Sequence, residues 1–354
     1  MDDLKGAFLR AFRKGEAILR SWRRALLPSR MVVFEDVTAT WFASALGVAT
    51  HLRIAELVPE KGGCAVSELA PQCDMVEAAL RRLLDVLVSH GYFAYSHDEA
   101  RLKHTSLSRA LKPGAAGRFV ELQTSLWYRS CFCTEAIMSA LRKGGHPFEV
   151  AQGKPFFNYI SEEPTKEELF ADAMAEITRF CGPFVNGLFP LSPGQRVLDV
   201  GGGNGELCRV LKSKFPHCRF GVLDILPRES SGSEIAFYQG SFLDSVPPGY
   251  DHLIMKNILH DWDDEKVVHI LRNCAEATVS GAELSVMELL LPERGRPKGA
   301  QCADYGVDWN LYCTLGGQER SLTHFQGLFE QAGWKFVEAR PTGVPFWLLR
   351  ARRV

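Results

Sequence analysis

The chain has 354 residues, 46% of them hydrophobic and 23% charged, with a formal net charge of −1; that length suits two domains at roughly 100–200 residues each. The near-neutral balance excludes a global attraction for nucleic acid, and ten cysteines without a CxxC pair argue against a disulfide framework or a zinc cluster. No apolar run is expected to reach the roughly 20 residues of a membrane span, so a cytoplasmic protein without stable membrane insertion is expected.

Residues 1–30 are basic and amphipathic. Lys5, Arg10, Arg13, Lys14, Arg20, Arg23, Arg24 and Arg30 face only Asp2, Asp3 and Glu16, while Leu4, Phe8, Phe12, Ile18, Leu19 and Trp22 recur near helical spacing. The pattern predicts a helix packed on its own subunit or on a partner. A membrane-surface helix or a presequence is the alternative, and the early Asp2 and Asp3 count against the latter.

Residues 31–118 read as a second module. Val33, Val37, Trp41, Phe42 and Leu46 predict a helix ending near Gly47, and Leu52, Ile54, Ala55 and Leu57 a further apolar face before Pro59. Residues 66–69 and 75–90 predict helix–turn–helix, with Leu80, Leu83, Leu84 and Leu87 on one side. Residues 92–95 and 101–104 then predict a short hairpin, the outline of a winged helix. Residues 119–190 return to helix and carry many aromatics, Trp127, Phe132, Phe157 and Phe170 among them; this connector supplies core, and some of its rings suit the wall of an apolar, planar ligand's pocket.

Residues 191–354 change character. Strands are predicted at 196–200, 219–223, 251–255 and 283–289, with a helix through about Lys214 after the first. Strands alternating with helices imply a parallel sheet wound by crossovers. Asp199-Val200-Gly201-Gly202-Gly203-Asn204-Gly205 follows the first of these strands. Glycines there allow a tight turn and close approach of a ligand. The spacing lacks the third glycine of a dinucleotide fingerprint, since Glu206 stands in its place. With Asp199 ahead of Gly201 and Gly203, it suits S-adenosylmethionine better. Asp224, ending the next strand, is placed to accept ribose hydroxyls, or merely to cap a turn. The run Lys256-Asn257-Ile258-Leu259-His260-Asp261-Trp262-Asp263-Asp264-Glu265 follows the strand at 251–255. That puts His260 at the carboxyl edge of the sheet, where an imidazole can take a proton from a phenol whose oxygen attacks a sulfonium methyl. The acids beside it also read as a charge cluster at a helix start.

The His260 to Glu265 run, the loop at Gly201 to Gly205, and Gly316-Gly317-Gln318-Glu319-Arg320-Ser321 together resemble the small-molecule O-methyltransferases. Plant caffeate and flavonoid enzymes, acetylserotonin O-methyltransferase and bacterial antibiotic-tailoring enzymes form that family. The resemblance covers about residues 31 to 348. It implies a Rossmann-like methyltransferase sheet preceded by a mostly helical winged-helix dimerisation domain, and hence a homodimer. It implies His260 as general base, braced by Glu288 and Glu319. Lys256 and Asp261 match positions that touch the cofactor; Ser241 and Phe242 match adenine positions, as Gly201 and Asp224 match the loop and ribose positions. Phe170 and Met174 match the substrate pocket, and residues 308–313, with Trp309, Asn310 and Cys313, match the helix that covers the acceptor.

Three departures accompany the match. Ser241 stands where the family usually has Asp, and Asn310 where many relatives have Met. Between Asp224 and Gly240 relatives fit a helix and a strand; here 228–233 is too polar and short for a full crossover helix, which implies a more open or weaker cofactor site. The expected function is metal-independent methyl transfer to a hydroxyl, phenolic by preference, of a small aromatic molecule. Alternatives are a non-methylating reaction that retains S-adenosylmethionine (pericyclic, decarboxylating or hydroxylating), an inactive homologue, or a DNA-binding regulator, for which residues 75–90 offer no basic stripe.

Overall fold

The computed structural model describes residues 2–97, 101–225, 234–293 and 302–354. Two compact units are formed, one from the residues up to Arg20 with Cys131–Tyr159 and Cys181–Val354, the other from Ser21–Ser130 and Ile160–Phe180. Residues 119–190 therefore contribute to both. The cysteines whose side chains are described are free thiols.

In the Ser21–Ser130 unit the helix Asp2–Leu26 ends at a short break before the helix Ser29–His51. The sequence predicted a stop near Gly47, but the helix runs on for another turn. Gly47 is there for packing: a Cβ on it would lie 2.5 Å from the Thr124 hydroxyl of the helix Gly117–Thr124. Within the helix Ser29–His51 only the small residues Ala45, Gly47 and Ala49 are buried. Its 23 residues are long and apolar enough to cross a membrane by length and composition, because no acid or base follows Asp36 until His51. The expectation that no such run exists is thereby corrected. Beyond it come the helices Ile54–Leu57, Val66–Leu69 and Glu77–Ser89. The last buries Leu80, Leu84 and Leu87, spaced to share one helical face. Strands β1 (Phe93–Tyr95) and β2 (Leu102–His104) pair antiparallel, forming the expected hairpin.

The other unit is built on a sheet of eight strands among the described residues: β3 (Arg196–Val200), β4 (Arg219–Asp224), β5 (Ala236–Gln239), β6 (His252–Lys256), β7 (Glu283–Leu291), β8 (Arg320–Ser321), β9 (Trp334–Pro341) and β10 (Phe346–Arg353). Their order is β5-β4-β3-β6-β7-β10-β9, with β8 beside β7. Strands β5, β4, β3, β6 and β7 are parallel; β10 runs antiparallel to both β7 and β9. The central strands are buried on both faces, as parallel strands between helices must be, so they read as continuous apolar runs. Succession reverses between β3 and β6, opening the crevice at their carboxyl ends where such sheets hold ligands.

Strand β5 occupies part of the segment after Asp224 where little room was expected, pairing Phe237 with Val222 of β4. The polar run 228–233 lies outside the described residues. Strands β9 and β10 went unread in the sequence, although Trp334, Leu349 and Ala351 bury themselves in the same core as Leu198 and Leu253.

Candidate active site

Three chain segments leave the carboxyl ends of β3, β4 and β6 side by side. After β3 the loop 201–205 takes positive φ at Gly201 (76°), Gly203 (53°) and Gly205 (78°) before the helix Glu206–Lys214. That conformation strains any residue with a Cβ. At Gly201 space forbids one too, since it would lie 2.5 Å from Ile258 Cδ1 and 3.3 Å from the Phe242 ring. Asp224 accepts a hydrogen bond from the Gly203 amide (2.8 Å), so the predicted ribose carboxylate also ties the loop to β4. Gly201 donates to the Leu223 carbonyl at 2.7 Å. Asp199, 2% exposed, packs against Gly202, and burial pushes its carboxyl up to about 7. Open space over Gly203 and a buried carboxylate whose one side-chain hydrogen-bond contact among the described residues is the Cys208 thiol at 3.9 Å fit a nucleoside that carries an amino group.

His260 sits on a single 3₁₀ turn, Leu259–Asp261, directly after β6. Pairing of Lys256 with Met287 brings Glu288 of β7 beside that turn. Glu288 Oε1 accepts from the Ile258 and Leu259 amides at 3.0 and 2.8 Å, and Oε2 stands 3.4 Å from His260 Nδ1. Glu319 Oε1 is 2.9 Å from the same nitrogen, and Asp261 Oδ1 is 3.3 Å from Nε2. Glu319 is itself fixed through its amide, which donates to Asp308 at 2.8 Å. Burial alone would push the imidazolium down; Glu288, Asp261 and Glu319 outweigh it and hold His260 up at about 10. Burial likewise raises Asp261 to about 7 and raises Glu319, against the pull of His260. The ring is thus faced by three acids, which favour its charged form. Donor atoms of His260, Glu288 and Glu319 lie within 4.8 Å of one another, so a metal ion would fit by donor type. His260 Nδ1 meets Glu319 Oε1, whereas Glu288 Oε2 and Glu319 Oε2 are buried without a hydrogen-bond partner among the described residues.

The remaining predicted residues are placed as follows. Phe242 lies over Gly201 and edge-on to Trp262, with ring centroids 5.9 Å apart. The Ser241 hydroxyl accepts from the Leu243 amide at 3.1 Å, closing a turn. Lys256, at the end of β6, holds its ammonium 5.5 Å from the Phe346 ring, and burial lowers its pKa. On the helix Cys302–Thr314 Trp309 is exposed, Asn310 half-buried and Cys313 fully buried; Cys313 is therefore a packing residue of that helix. Phe170 and Met174 are half-buried on the helix Pro164–Val185, in the Ile160–Phe180 part of the other unit. Asp263 accepts from the Lys266 amide at 2.9 Å and caps the helix Asp264–Glu276, so part of the acidic run serves the helix start. Sequence reasoning missed Ile258, whose side chain covers Gly201. It also missed Trp262, which stacks on Phe157 at 6.4 Å with planes 14° apart. Their only signal was membership of the run that carries His260.

A glycine loop after the first parallel strand, a carboxylate ending the second and a braced histidine after the fourth define an S-adenosylmethionine-dependent methyltransferase, and comparison with known proteins agrees. Residues 135–335 match the model of the O-methyltransferase domain, and residues 35–113 that of the O-methyltransferase dimerisation domain. The chain is 30% identical to the mitomycin biosynthesis 6-O-methyltransferase of Streptomyces lavendulae, over 91% of this chain and 94% of that one. It is 27% identical to the phenazine O-methyltransferase of Lysobacter antibioticus, over 94% and 98%. Human N-acetylserotonin methyltransferase, solved with S-adenosylmethionine, superposes with a TM-score of 0.83 at 25% identity, over 92% of this chain and 98% of that one. The chain belongs to the O-methyltransferase family: it is an enzyme that uses S-adenosylmethionine, with a dimerisation domain ahead of the catalytic one.

Proposed function

We propose that the enzyme methylates a phenolic hydroxyl of a small aromatic molecule with His260 as general base, without a metal ion. The observation that carries this reading is the bracing of His260, whose Nδ1 faces Glu319 and Glu288 while Nε2 points to the other edge, beside Asp261. S-adenosylmethionine, when bound, supplies the electrophilic methyl group and a sulfonium charge. The chain's part is positional and protonic. Gly201, Gly203, Asp224, Ser241 and Phe242 would hold the nucleoside, with Asp199, Lys256 and Asp261 around the charged end. His260 Nε2, on the ring edge away from Glu288 and Glu319, is the atom placed to accept a proton. With the cofactor bound, the acceptor's oxygen would be methylated and its hydroxyl proton would pass to Nε2. Glu288 and Glu319 stabilise the resulting imidazolium. In-line displacement draws much of its rate from alignment of the two reactants. Acceptors named for the relatives, a phenazine and acetylserotonin among them, support an aromatic substrate. Phe170, Met174, Trp309, Asn310 and Cys313 are proposed for the acceptor side, Cys313 through helix packing. The dimerisation domain supports a homodimer.

His260→Ala is expected to keep S-adenosylhomocysteine affinity near wild type while methylation falls at least about 10²-fold. Measuring S-adenosylhomocysteine release over a panel of phenols, with and without a chelator, checks the reading. Unchanged turnover in the variant removes His260 from the role, a chelator-sensitive rate removes metal independence, and product formed without S-adenosylhomocysteine favours a non-methylating reaction.

A further inference from the structure

Arg320 is buried to 1% exposure, where a guanidinium persists only if its donors are matched. Apart from a long contact of Nη1 with the Gln318 carbonyl at 3.4 Å, its partners belong to the segment that carries His260. Nε donates to Asp264 Oδ1 at 2.8 Å, Nη1 to the Leu259 carbonyl at 2.9 Å and Nη2 to the Trp262 carbonyl at 2.6 Å. Two residues earlier the Gln318 amide donates to the His260 carbonyl at 2.8 Å. At Gly317 a Cβ would stand 2.0 Å from that carbonyl, so the approach needs glycine. Carbonyls 259, 260 and 262 are thus held from one strand end. The same short stretch supplies Glu319 to the ring, and pairing of Arg320 with Leu290 ties it to β7, which supplies Glu288.

The geometry points to Arg320 as a positioning residue for the base: its planar fork, anchored on Asp264, sets the turn so that the His260 ring meets Glu319. Only a fork spans two carbonyls and a carboxylate at once; a lysine ammonium is a single point. A purely structural arginine would affect yield and melting but not the properties of His260 in the folded enzyme.

The kinetic arm of the test rests on His260 being the base; the spectroscopic arm does not. In Arg320→Lys, kcat is expected to fall about 10- to 10²-fold, the cost of a small misplacement. S-adenosylhomocysteine affinity by calorimetry should stay within about twofold. The His260 ring resonances should titrate at lower pH than in wild type, because the ring loses its fixed distance to Glu319. Asp264→Ala removes the anchor from a partly exposed position and serves if Arg320 variants do not fold; it should move kcat and the His260 titration in the same directions. Wild-type kcat and an unmoved titration in the folded variant overturn the proposal, as does a loss of cofactor affinity that accounts for the fall in rate. A moved titration with unchanged kcat instead upholds the positioning and removes His260 from catalysis.

Discussion

Around His260 the two glutamates do different work, although both face Nδ1. Glu288 spends one oxygen on two backbone amides and so shapes the turn as well as the charge. Glu288→Ala should therefore cost more stability than Glu288→Gln, by about 1–3 kcal/mol, since it leaves those buried amides without an acceptor; chemical denaturation measures the difference. Glu319 makes its side-chain contact with the imidazole itself. Glu319→Gln keeps a hydrogen-bonding oxygen there but removes a negative charge, so His260 in the ligand-free protein should titrate below its value of about 10. A histidine-resolved NMR titration that showed no change would mean Glu288 and Asp261 alone set the charge. His260, Glu288 and Glu319 were legible in the sequence because each sits in a short run whose residue types are dictated by proton chemistry. Arg320 and Ile258 act through backbone carbonyls and through the space over a glycine, and neither leaves a mark on spacing.

At the scale of elements, β6 begins with a histidine ahead of the apolar Leu253, Ile254 and Met255. His252 is fully buried; its Nε2 meets the Ser285 hydroxyl of β7 at 2.8 Å and Nδ1 has no hydrogen-bond partner among the described residues. Burial pushes its pKa down to about 4. The unfolded chain therefore binds a proton here that the folded one refuses, between roughly pH 6.5 and 4. The stabilisation from a neutral His252 is complete above pH 6.5 and is lost as pH falls through 4, on the order of 3 kcal/mol in all. The stability gap between wild type and His252→Gln should accordingly change over that window and stay flat above it, when urea midpoints are compared; a gap independent of pH would contradict burial as the cause. The strands β3, β4, β6 and β7 could be read because burial on both faces makes apolar runs. Strand β5, four residues long and mostly exposed, and the antiparallel pair β9 and β10, with charges alternating along it, carry a weaker pattern. Gly47 misled for a related reason: helical glycine marks a stop or a close crossing, and sequence alone does not say which.

On the scale of the whole molecule, the helices Asp2–Leu26 and Ser29–His51 are joined by exposed ion pairs, Arg23 with Glu35 at 2.7 Å and Arg24 with Asp36 at 2.8 Å. Such pairs orient the hairpin more than they stabilise it. Several of its large apolar side chains stay uncovered: Trp41 is 72% exposed, Phe34 68% and Trp22 66%. Isolated exposed apolar residues are ordinary, but Phe34, Val37 and Trp41 recur at helical spacing and are all exposed, as on an interaction surface. Membership of a family with a dimerisation domain, matched from residue 35 onward, favours a second copy of the chain over a lipid surface. The basic, amphipathic character of the first 30 residues was evident in the sequence, whereas the bare face of Ser29–His51 was not, since apolar residues on a helix do not reveal whether their partner lies in the same chain. The wild-type enzyme should sediment as a dimer. Phe34→Glu with Trp41→Glu should shift it to monomer while leaving the far-ultraviolet dichroism unchanged, because neither side chain is part of a packed core. A dimer that survives both charges would place the interface elsewhere, and a monomeric wild type that partitions onto lipid vesicles would assign the face to a membrane.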